Sequence, residues 1–234
     1  MKYKLVLFDL DGTLLDTLAD LGAAVNAALE GRGFPLHTQE AFRGMVGHGV
    51  RNLVAQALPE PLQQDDRLID DCLADFMANY TAHIADKTTA YPGMQNLVKE
   101  LNAAGVRLAI ASNKFQDGTE TLVNQFFPGI PFVAVLGNRP GCPLKPDPEI
   151  VGEVLRKAGL AREEAVMVGD SATDMKTAEN GGIRGIAVTW GYRVLESTPD
   201  RPIVSSAEEL RTLLLGYSSL KAIRAHASAS ASAW

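Results

Sequence analysis

The sequence predicts an α/β protein with a parallel sheet and one inserted helical segment. Short apolar runs recur along the chain, segments with helical periodicity separate most of them, and one region near the N-terminus shows helical periodicity alone. Strands that alternate with helices of this length are typical of βαβ units. The runs are apolar almost throughout, which indicates strands covered by helices on both faces.

The order of these elements predicts two domains. Predicted strands cover residues 3–8, 106–111, 132–136, 165–168 and 184–188, and predicted helices between them cover 93–104, 116–127, 147–158 and 173–180. From residue 15 to 85 the pattern predicts helices over 16–31, 48–58 and 64–84, a looser helical piece near 38–45, and no strand. We therefore expect an α/β core of residues 1–14 and 86–216, with a small helical domain of residues 15–85 inserted after the first strand.

Composition excludes several classes of protein. The 234 residues are 46% hydrophobic and 21% charged, which is ordinary for a globular protein. With a net charge of −6 and no basic stripe we expect no nucleic-acid partner, and no apolar run approaches the ~20 residues that span a bilayer. The first residues enter a strand pattern directly, so no secretion signal is expected. The two cysteines are far apart in sequence, which fits a reducing cytoplasmic setting.

Acidic charge is concentrated in the helical insertion. From residue 15 to 85 there are ten Asp or Glu against four Arg, which gives −6, and five of the acids lie between Asp65 and Asp75. We interpret this as a solvated helix face, with a partner-binding surface as the alternative. Residues 217–234 are predicted to be a tail. It ends in HASASASAW, which has no core to bury, and we attribute part of it to recombinant expression.

Polar residues follow the predicted strands at the point where each strand ends. Asp9, Asp11 and Thr13 follow the first strand, Ser112 and Asn113 follow the second, Asp170 and Asp174 follow the fourth, and Lys145 lies in the loop LKPDP before a helix. Ligands of parallel α/β sheets bind outside the carboxyl ends of the strands. We therefore expect these groups to meet at one edge of the sheet.

The clustered carboxylates indicate a cation, because neighbouring negative charges raise each other's proton affinity. Mg²⁺ prefers oxygen ligands, takes one or two carboxylates and leaves positions for water and phosphate oxygens. Lys145 would add positive charge, and Ser112 could bind a phosphate oxygen. A carboxylate placed beside these cations can attack phosphorus, and a second carboxyl group can protonate the leaving oxygen and later activate water.

The four segments together resemble the motifs of the haloacid dehalogenase-like (HAD) hydrolases. These are DLDGT at 9–13, Ser112 after a strand, Lys145 in KPDP and GDSATD at 169–174, in the order and spacing of that family. Any one of them is a weak signal, whereas all four at successive strand ends are specific. The resemblance covers residues 3 to about 190 and implies a Rossmann-like parallel core with a helical cap.

Roles for individual residues follow from this resemblance. It implies that Asp9 is the nucleophile, that Asp11 is the general acid and base, and that Lys145 holds the phosphoryl group. It further implies that Asp9, Asp11, Asp170 and Asp174 bind Mg²⁺, Asp11 through its backbone carbonyl, and that Thr13, Ser112 and Asn113 belong to the phosphoryl site. For Asp16 and Thr17, which match a downstream part of the first motif, we expect an N-cap of the next helix.

Asp11 also separates two reaction classes. Displacing an alkoxide requires a proton, whereas displacing a halide does not, so Asp11 favours phosphoryl chemistry over dehalogenation. The helical insertion resembles the cap of the phosphoglycolate phosphatase and β-phosphoglucomutase branch. Within it, GMVGHGVRNLV at 44–54 is similar to the cap loop of phosphoglycolate phosphatases. We predict that His48 and Arg51 contact the substrate, with an exposed loop histidine and a solvated helix arginine as the alternatives.

The sequence thus predicts a cytoplasmic, Mg²⁺-dependent phosphatase for a small phosphate monoester, 2-phosphoglycolate first, acting as a monomer or homodimer. Three alternatives share the fold: a sugar-phosphate phosphatase, a phosphoglucomutase-like phosphotransferase and a pyrophosphatase. A fourth, from a different class, is a regulatory protein that binds phosphate without turnover. The presence of Asp9, Asp11, Lys145 and Asp170 argues against this last alternative, because a non-catalytic relative usually lacks one such group.

Overall fold

A computed structural model describes residues 3–193, 195 and 201–216 of the chain. In chain order the strands are β1 (Leu5–Phe8), β2 (Leu15–Asp16), β3 (Thr89–Ala90), β4 (Arg107–Phe115), β5 (Ala134–Asn138), β6 (Ala165–Gly169), β7 (Arg184–Val188) and β8 (Ile203–Val204). Six of them form one parallel sheet in the spatial order β5-β4-β1-β6-β7-β8. The predicted α/β fold class is confirmed.

The apolar character of β1 follows from its central position. Its neighbours are β4 on one side and β6 on the other, and all four of its residues are buried. Alternate side chains face opposite sides of a strand. Val6 and Phe8 accordingly belong to one hydrophobic cluster, whereas Leu5 and Leu7 belong to a second one. Helices therefore cover both faces of the sheet, as the continuous apolar run predicts.

The α-helices alternate with the strands in the core and follow one another in the insertion. They are α1 (Leu18–Glu30), α2 (Gln39–Arg43), α3 (Val50–Ala57), α4 (Asp66–His83), α5 (Met94–Ala103), α6 (Gln116–Phe126), α7 (Glu149–Ala158) and α8 (Ala172–Asn180), with a final helix over residues 207–216. Within the insertion α4 packs against both α1 and α3. Short 3₁₀ turns lie at Glu60–Leu62 and Arg162–Glu164.

One local expectation for the start of the insertion was wrong, and a second was confirmed only in part. The region from residue 15 was expected to contain no strand, but Leu15 and Asp16 form β2, which pairs antiparallel with β3. The two strands lie where the chain enters and leaves the insertion. Because they pair across a long stretch of sequence, no local pattern predicts them. Of the expected N-cap pair, Asp16 Oδ1 accepts from Leu18 N at 3.3 Å, whereas Thr17 is the N-cap residue of α1 but makes no side-chain cap hydrogen bond. Its Oγ1 instead donates to Asp11 Oδ1 at 2.7 Å.

Membrane-spanning helices, the two cysteines and the predicted tail can each be compared with expectation. Among the described residues, no helix combines the length and hydropathy that crossing a bilayer requires. Cys72 and Cys142 are both free thiols. The predicted tail, residues 217–234, lies outside the described residues. The exact bounds of the core and of the inserted domain stay predictions.

Candidate active site

A pocket opens at the carboxyl edge of the sheet, between the core and the helical insertion. Parallel pairing of β1 with β4 and β6 brings the ends of these three strands together. The core contributes Asp9, Asp11, Ser112, Asn113, Lys114, Lys145, Asp170, Ser171, Tyr192 and Arg193, and the insertion contributes Leu21, Val46, Gly47, Gly49, Val50 and Leu53. Most of the residues that the sequence assigns to the site are therefore neighbours in space. The pocket has a volume of about 40 Å³. A cavity that holds one water needs ~10–15 Å³, so the pocket is only a few times larger.

Lys145 is the central cation of the pocket. Its Nζ lies 2.8 Å from Asp9 Oδ1 and 2.6 Å from Asp174 Oδ1, and all three side chains are buried. Burial by itself lowers the pKa of Lys145, but the charges of Asp174 and Asp9 outweigh burial and hold that pKa above its usual range. Lys145 is therefore a permanent positive charge beside Asp9.

Three buried carboxylates form a cluster that one lysine cannot neutralise. Asp9, Asp170 and Asp174 each offer an oxygen, and these oxygens lie within 4.8 Å of one another. Burial, reinforced by the charge of Asp174, raises the pKa of Asp9 to about 8 and that of Asp170 to about 7. Hard oxygen donors in this number are the ligands that a divalent cation such as Mg²⁺ or Ca²⁺ takes in proteins. The donor set thus fits a hard divalent cation.

Local structure holds each member of this cluster in place. Asp174 is the third residue of α8 and forms a capping box with Ser171, whose N–H and Oγ both donate to Asp174 Oδ2. The other oxygen, Oδ1, is thereby directed towards Lys145. Asp170 Oδ2 accepts a hydrogen bond from Tyr192 N at 2.7 Å. Tyr192 follows β7 in chain order and was not singled out by its sequence context.

The glycine after the two N-terminal aspartates is required by the approach of Asp170. Gly12 has φ +87°, and a Cβ added there would lie 2.5 Å from Asp170 Oδ2. Gly191 approaches the same carboxylate, because its added Cβ would lie 2.4 Å from that oxygen. Any side chain at either position would displace Asp170 from the cluster. The glycine of DLDGT, Gly12, is therefore required for Asp170 to pack into the carboxylate cluster.

Asp11 lies outside the carboxylate cluster and has different partners. Its carboxylate accepts a hydrogen bond from Thr17 Oγ1 at 2.7 Å and lies 3.4 Å from Lys114 Nζ. Lys114 is buried and also donates to Tyr80 Oη of α4 at 2.6 Å. Burial lowers the pKa of Lys114, and Asp11 opposes that effect. Asp9 and Asp11 are thus two nearby carboxylates in unlike surroundings, as separate chemical roles require.

Asn113 and Ser112 occupy the end of β4 but make different contacts. Asn113 Oδ1 accepts from Lys145 N at 2.8 Å, and its Nδ2 donates to the carbonyl oxygens of Lys145 and Gly47, each at 3.0 Å. Its amide therefore links the Lys145 loop and the insertion to the sheet. The Ser112 side chain lines the pocket and accepts from Lys114 N at 3.3 Å. Of the two, Ser112 has the side chain with capacity left for a ligand.

Besides Asp174, which binds Lys145 but is fully buried, three predicted site residues do not line the pocket. Thr13 is fully buried, and its hydroxyl has no hydrogen-bond partner within the described part of the chain. His48 is exposed between Gly47 and Gly49, which do line the pocket. Arg51 points to α4, where Nε and Nη2 bind Asp70 and Asp66 at 2.9 and 2.7 Å. Substrate contact by any of the three stays a prediction.

The insertion is closed over the core in this conformation. Arg193 Nη2 donates to the carbonyl oxygens of Gly44 and Val46 at 2.8 and 2.9 Å, and Asn113 binds Gly47 from the other side. These bonds hold the glycine-rich loop against the carboxylate edge. A lid in this position excludes water and completes a site.

Comparison with known proteins agrees with this geometry. Residues 6–188 match the family model of the haloacid dehalogenase-like hydrolases. The chain belongs to that family. The resemblance drawn from the four sequence motifs is thereby confirmed.

Several proteins match most of the length of this HAD-family chain. It is 34% identical over 220 residues to a phosphoglycolate phosphatase of Pseudomonas savastanoi pv. phaseolicola, covering 91% of this chain and 79% of the relative. It is 36% identical over 197 residues to one from Mesorhizobium japonicum, covering 82% and 85%. A crystal structure of a proposed phosphoglycolate phosphatase from Lactobacillus delbrueckii subsp. bulgaricus superposes with a TM-score of 0.84 at 35% identity, covering 92% of this chain and all of the other.

Proposed function

We propose that this protein is a Mg²⁺-dependent phosphatase that hydrolyses a small phosphate monoester, 2-phosphoglycolate before others, through a phosphorylated Asp9. The observation that carries the proposal is the separation of two carboxylates. Asp9 lies in the buried cluster with Lys145 at 2.8 Å, whereas Asp11 lies beside Thr17 and Lys114. These unlike surroundings support an attacking role for Asp9 and a proton-exchanging role for Asp11.

The reaction has two steps, each carried by residues of this chain. A carboxylate oxygen of Asp9 attacks phosphorus, the bond from phosphorus to the ester oxygen breaks, and Asp11 gives its proton to the leaving alkoxide. Asp11, now ionised, takes a proton from a water that attacks the phosphorylated Asp9. Phosphate leaves and the Asp9 carboxylate is restored.

Other groups orient the phosphoryl group during both steps. Lys145 is held 2.8 Å from Asp9 and can bind a phosphoryl oxygen next to it. The Ser112 hydroxyl, which lines the same pocket, can donate to another. Asp9, Asp170 and Asp174, with the backbone carbonyl of Asp11, would hold Mg²⁺. When bound, that ion neutralises charge on the phosphoryl oxygens.

The substrate assignment rests on the pocket and on the relatives. The closed pocket is small, and its wall from the insertion is apolar at Leu21, Val46, Val50 and Leu53. Such a wall leaves few partners for the hydroxyl groups of a hexose phosphate. Three relatives that are 34–36% identical over 82–91% of the chain carry the name phosphoglycolate phosphatase. We place the enzyme in the cytoplasm, since both its thiols are free. We expect it to act as a monomer or homodimer, without a nucleic-acid or membrane partner.

A panel of phosphate esters tests the proposal. Purified protein with Mg²⁺ is assayed against 2-phosphoglycolate, glycerol phosphates, hexose phosphates, p-nitrophenyl phosphate and pyrophosphate, and kcat/KM is compared. We expect 2-phosphoglycolate to rank first. A preference for hexose phosphates would favour the sugar-phosphate branch. Binding of inorganic phosphate without turnover of any ester would favour a regulatory protein.

A further inference from the structure

The pocket contains a guanidinium that the sequence motifs do not include. Among the described residues the cations that line it are Lys114, Lys145 and Arg193. Lys145 is bound to Asp9 and Asp174, and Lys114 is bound to Asp11 and Tyr80. Both lysines therefore serve the reacting end of the pocket, and Arg193 is the cation that remains.

Arg193 keeps donors available for a ligand. Its hydrogen bonds to described residues use Nη2 alone and go to the carbonyl oxygens of Gly44 and Val46. A guanidinium carries five N–H donors, so those on Nη1 and Nε remain. No carboxylate within the described ranges lies at salt-bridge distance from Arg193, although Asp9, Asp11 and Asp170 line the same pocket. The charge of this arginine is thus balanced by no protein group described here.

Arg51, the arginine that the sequence favours for this task, is differently placed. Two of its nitrogens are bound to Asp66 and Asp70, and its side chain is 47% exposed. It does not line the pocket. To reach a substrate it would have to leave both carboxylates, whereas Arg193 would leave none.

We propose that Arg193 binds the carboxylate at the non-phosphate end of the substrate, and that it selects acidic phosphate esters over neutral ones. The inference rests on the proposed function and names the residue that sets its specificity. A planar fork of donors matches a carboxylate. Because Nη2 also binds the closing loop, the same side chain couples recognition of the carboxylate to the closed position of Gly44 and Val46.

The first test compares two substrates in matched variants. Arg193→Ala should lower kcat/KM for 2-phosphoglycolate by about 10- to 100-fold, mainly through KM, as expected for loss of a charge-assisted hydrogen bond. Its loss on ethyl phosphate, which has no carboxylate, should be much smaller. Arg193→Lys keeps the charge but not the fork and should fall between Arg193→Ala and the parent.

Two further arginines separate recognition from loop closure. Arg43 also joins insertion and core, through Nη1 to Gly191 O at 3.5 Å, but it does not line the pocket. Arg43→Ala should therefore affect both substrates equally. Arg51→Ala should cause a smaller selective loss than Arg193→Ala. Equal losses on both substrates in Arg193→Ala, or a larger selective loss in Arg51→Ala, would overturn the inference.

Inhibitors test Arg193 independently of which ester is turned over. Phosphonoacetate carries a carboxylate and methylphosphonate does not, and neither is hydrolysed as an ester. We expect phosphonoacetate to bind the parent at least about tenfold more tightly, and Arg193→Ala to remove that preference. If the parent fails to prefer 2-phosphoglycolate but shows this inhibition pattern, the proposed substrate is wrong and the role of Arg193 stands. If the parent hydrolyses 2-phosphoglycolate but Arg193→Ala keeps the preference, the role of Arg193 is wrong.

Discussion

Asn113 binds the backbone of Lys145 at both its N–H and its carbonyl group, at 2.8 and 3.0 Å. The pair joins the end of β4 to the loop before α7, 32 positions further along the chain. Lys145 in turn binds Asp9 and Asp174. The position of the central cation therefore depends on an amide that itself has little capacity left for a substrate.

Replacing this amide should impair catalysis as well as stability. Asn113→Ala leaves a buried N–H and C=O of Lys145 unpaired, and we expect a loss of about 1–3 kcal/mol in the free energy of unfolding. Lys145 would also lose its fixed position, so kcat should fall at least about tenfold for every phosphate ester. Chemical denaturation and steady-state kinetics measure the two effects.

The insertion offers a matched control for this variant. Asn26 binds the backbone of His37 in the same two-sided way, at 3.0 and 2.9 Å, but does not line the pocket. Asn26→Ala should destabilise the fold by a similar amount with little loss of kcat. Similar kcat values in the two variants would show that Asn113 does not position Lys145 for catalysis.

Asp9→Asn should abolish phosphatase activity while the protein stays folded. The amide has the size of the carboxylate but cannot attack phosphorus. Burial and Asp174 disfavour the negative charge at this position, so its removal should not reduce the melting temperature of the metal-free protein. Phosphate trapped during turnover of the parent should be found on Asp9 by peptide mass spectrometry. Phosphate on a different residue would contradict the assignment.

Removal of divalent cations should stop turnover. EDTA should abolish activity, and Mg²⁺ should restore it, whereas Ca²⁺ should substitute poorly because its looser coordination misplaces the phosphoryl group. Asp170→Ala should raise the Mg²⁺ concentration needed for half-maximal activity by at least about tenfold. Full activity in excess chelator, with metal shown to be absent, would rule out the proposed cofactor.

Metal-free protein should lose stability as the pH rises. The pKa of Asp9 in the fold is about 8 and that of Asp170 about 7, against about 3.9 for an unfolded Asp. Between these values the unfolded chain binds fewer protons than the native state, so the free energy of unfolding falls with increasing pH. The stabilisation from these two carboxyl groups is fully present below pH ~4 and is lost progressively between pH ~4 and pH ~8.

The comparison with Asp9→Asn isolates this effect from other titrations. We expect the melting temperature of the variant, minus that of the parent, to increase from pH 5 to pH 8 in EDTA. Added Mg²⁺ should reduce the difference, because it offsets the carboxylate charges. A constant difference across that range would contradict the raised pKa of Asp9.

Much of the fold could be predicted because it depends on local patterns. The five core strands were located to within a few residues, since a buried parallel strand must be apolar on both faces. β8 and the helix at 207–216 were missed. β8 has only two residues, and its pairing with β7 is a tertiary contact. The same reason explains β2, whose partner lies more than seventy residues away.

The sequence by itself determined the fold class, the family and the group of core residues that meet at the sheet edge. Parallel topology alone brings strand ends together, so Asp9, Asp11, Ser112 and Asp170 could be grouped without coordinates. Only the tertiary structure decided which side chains line the pocket and which bind other parts of the protein. Arg51 is turned outwards by two carboxylates on α4, whereas Arg193 reaches the pocket from a loop almost 150 positions beyond the backbone it binds. Such pairings depend on contacts between distant segments, and neither periodicity nor motif spacing encodes them.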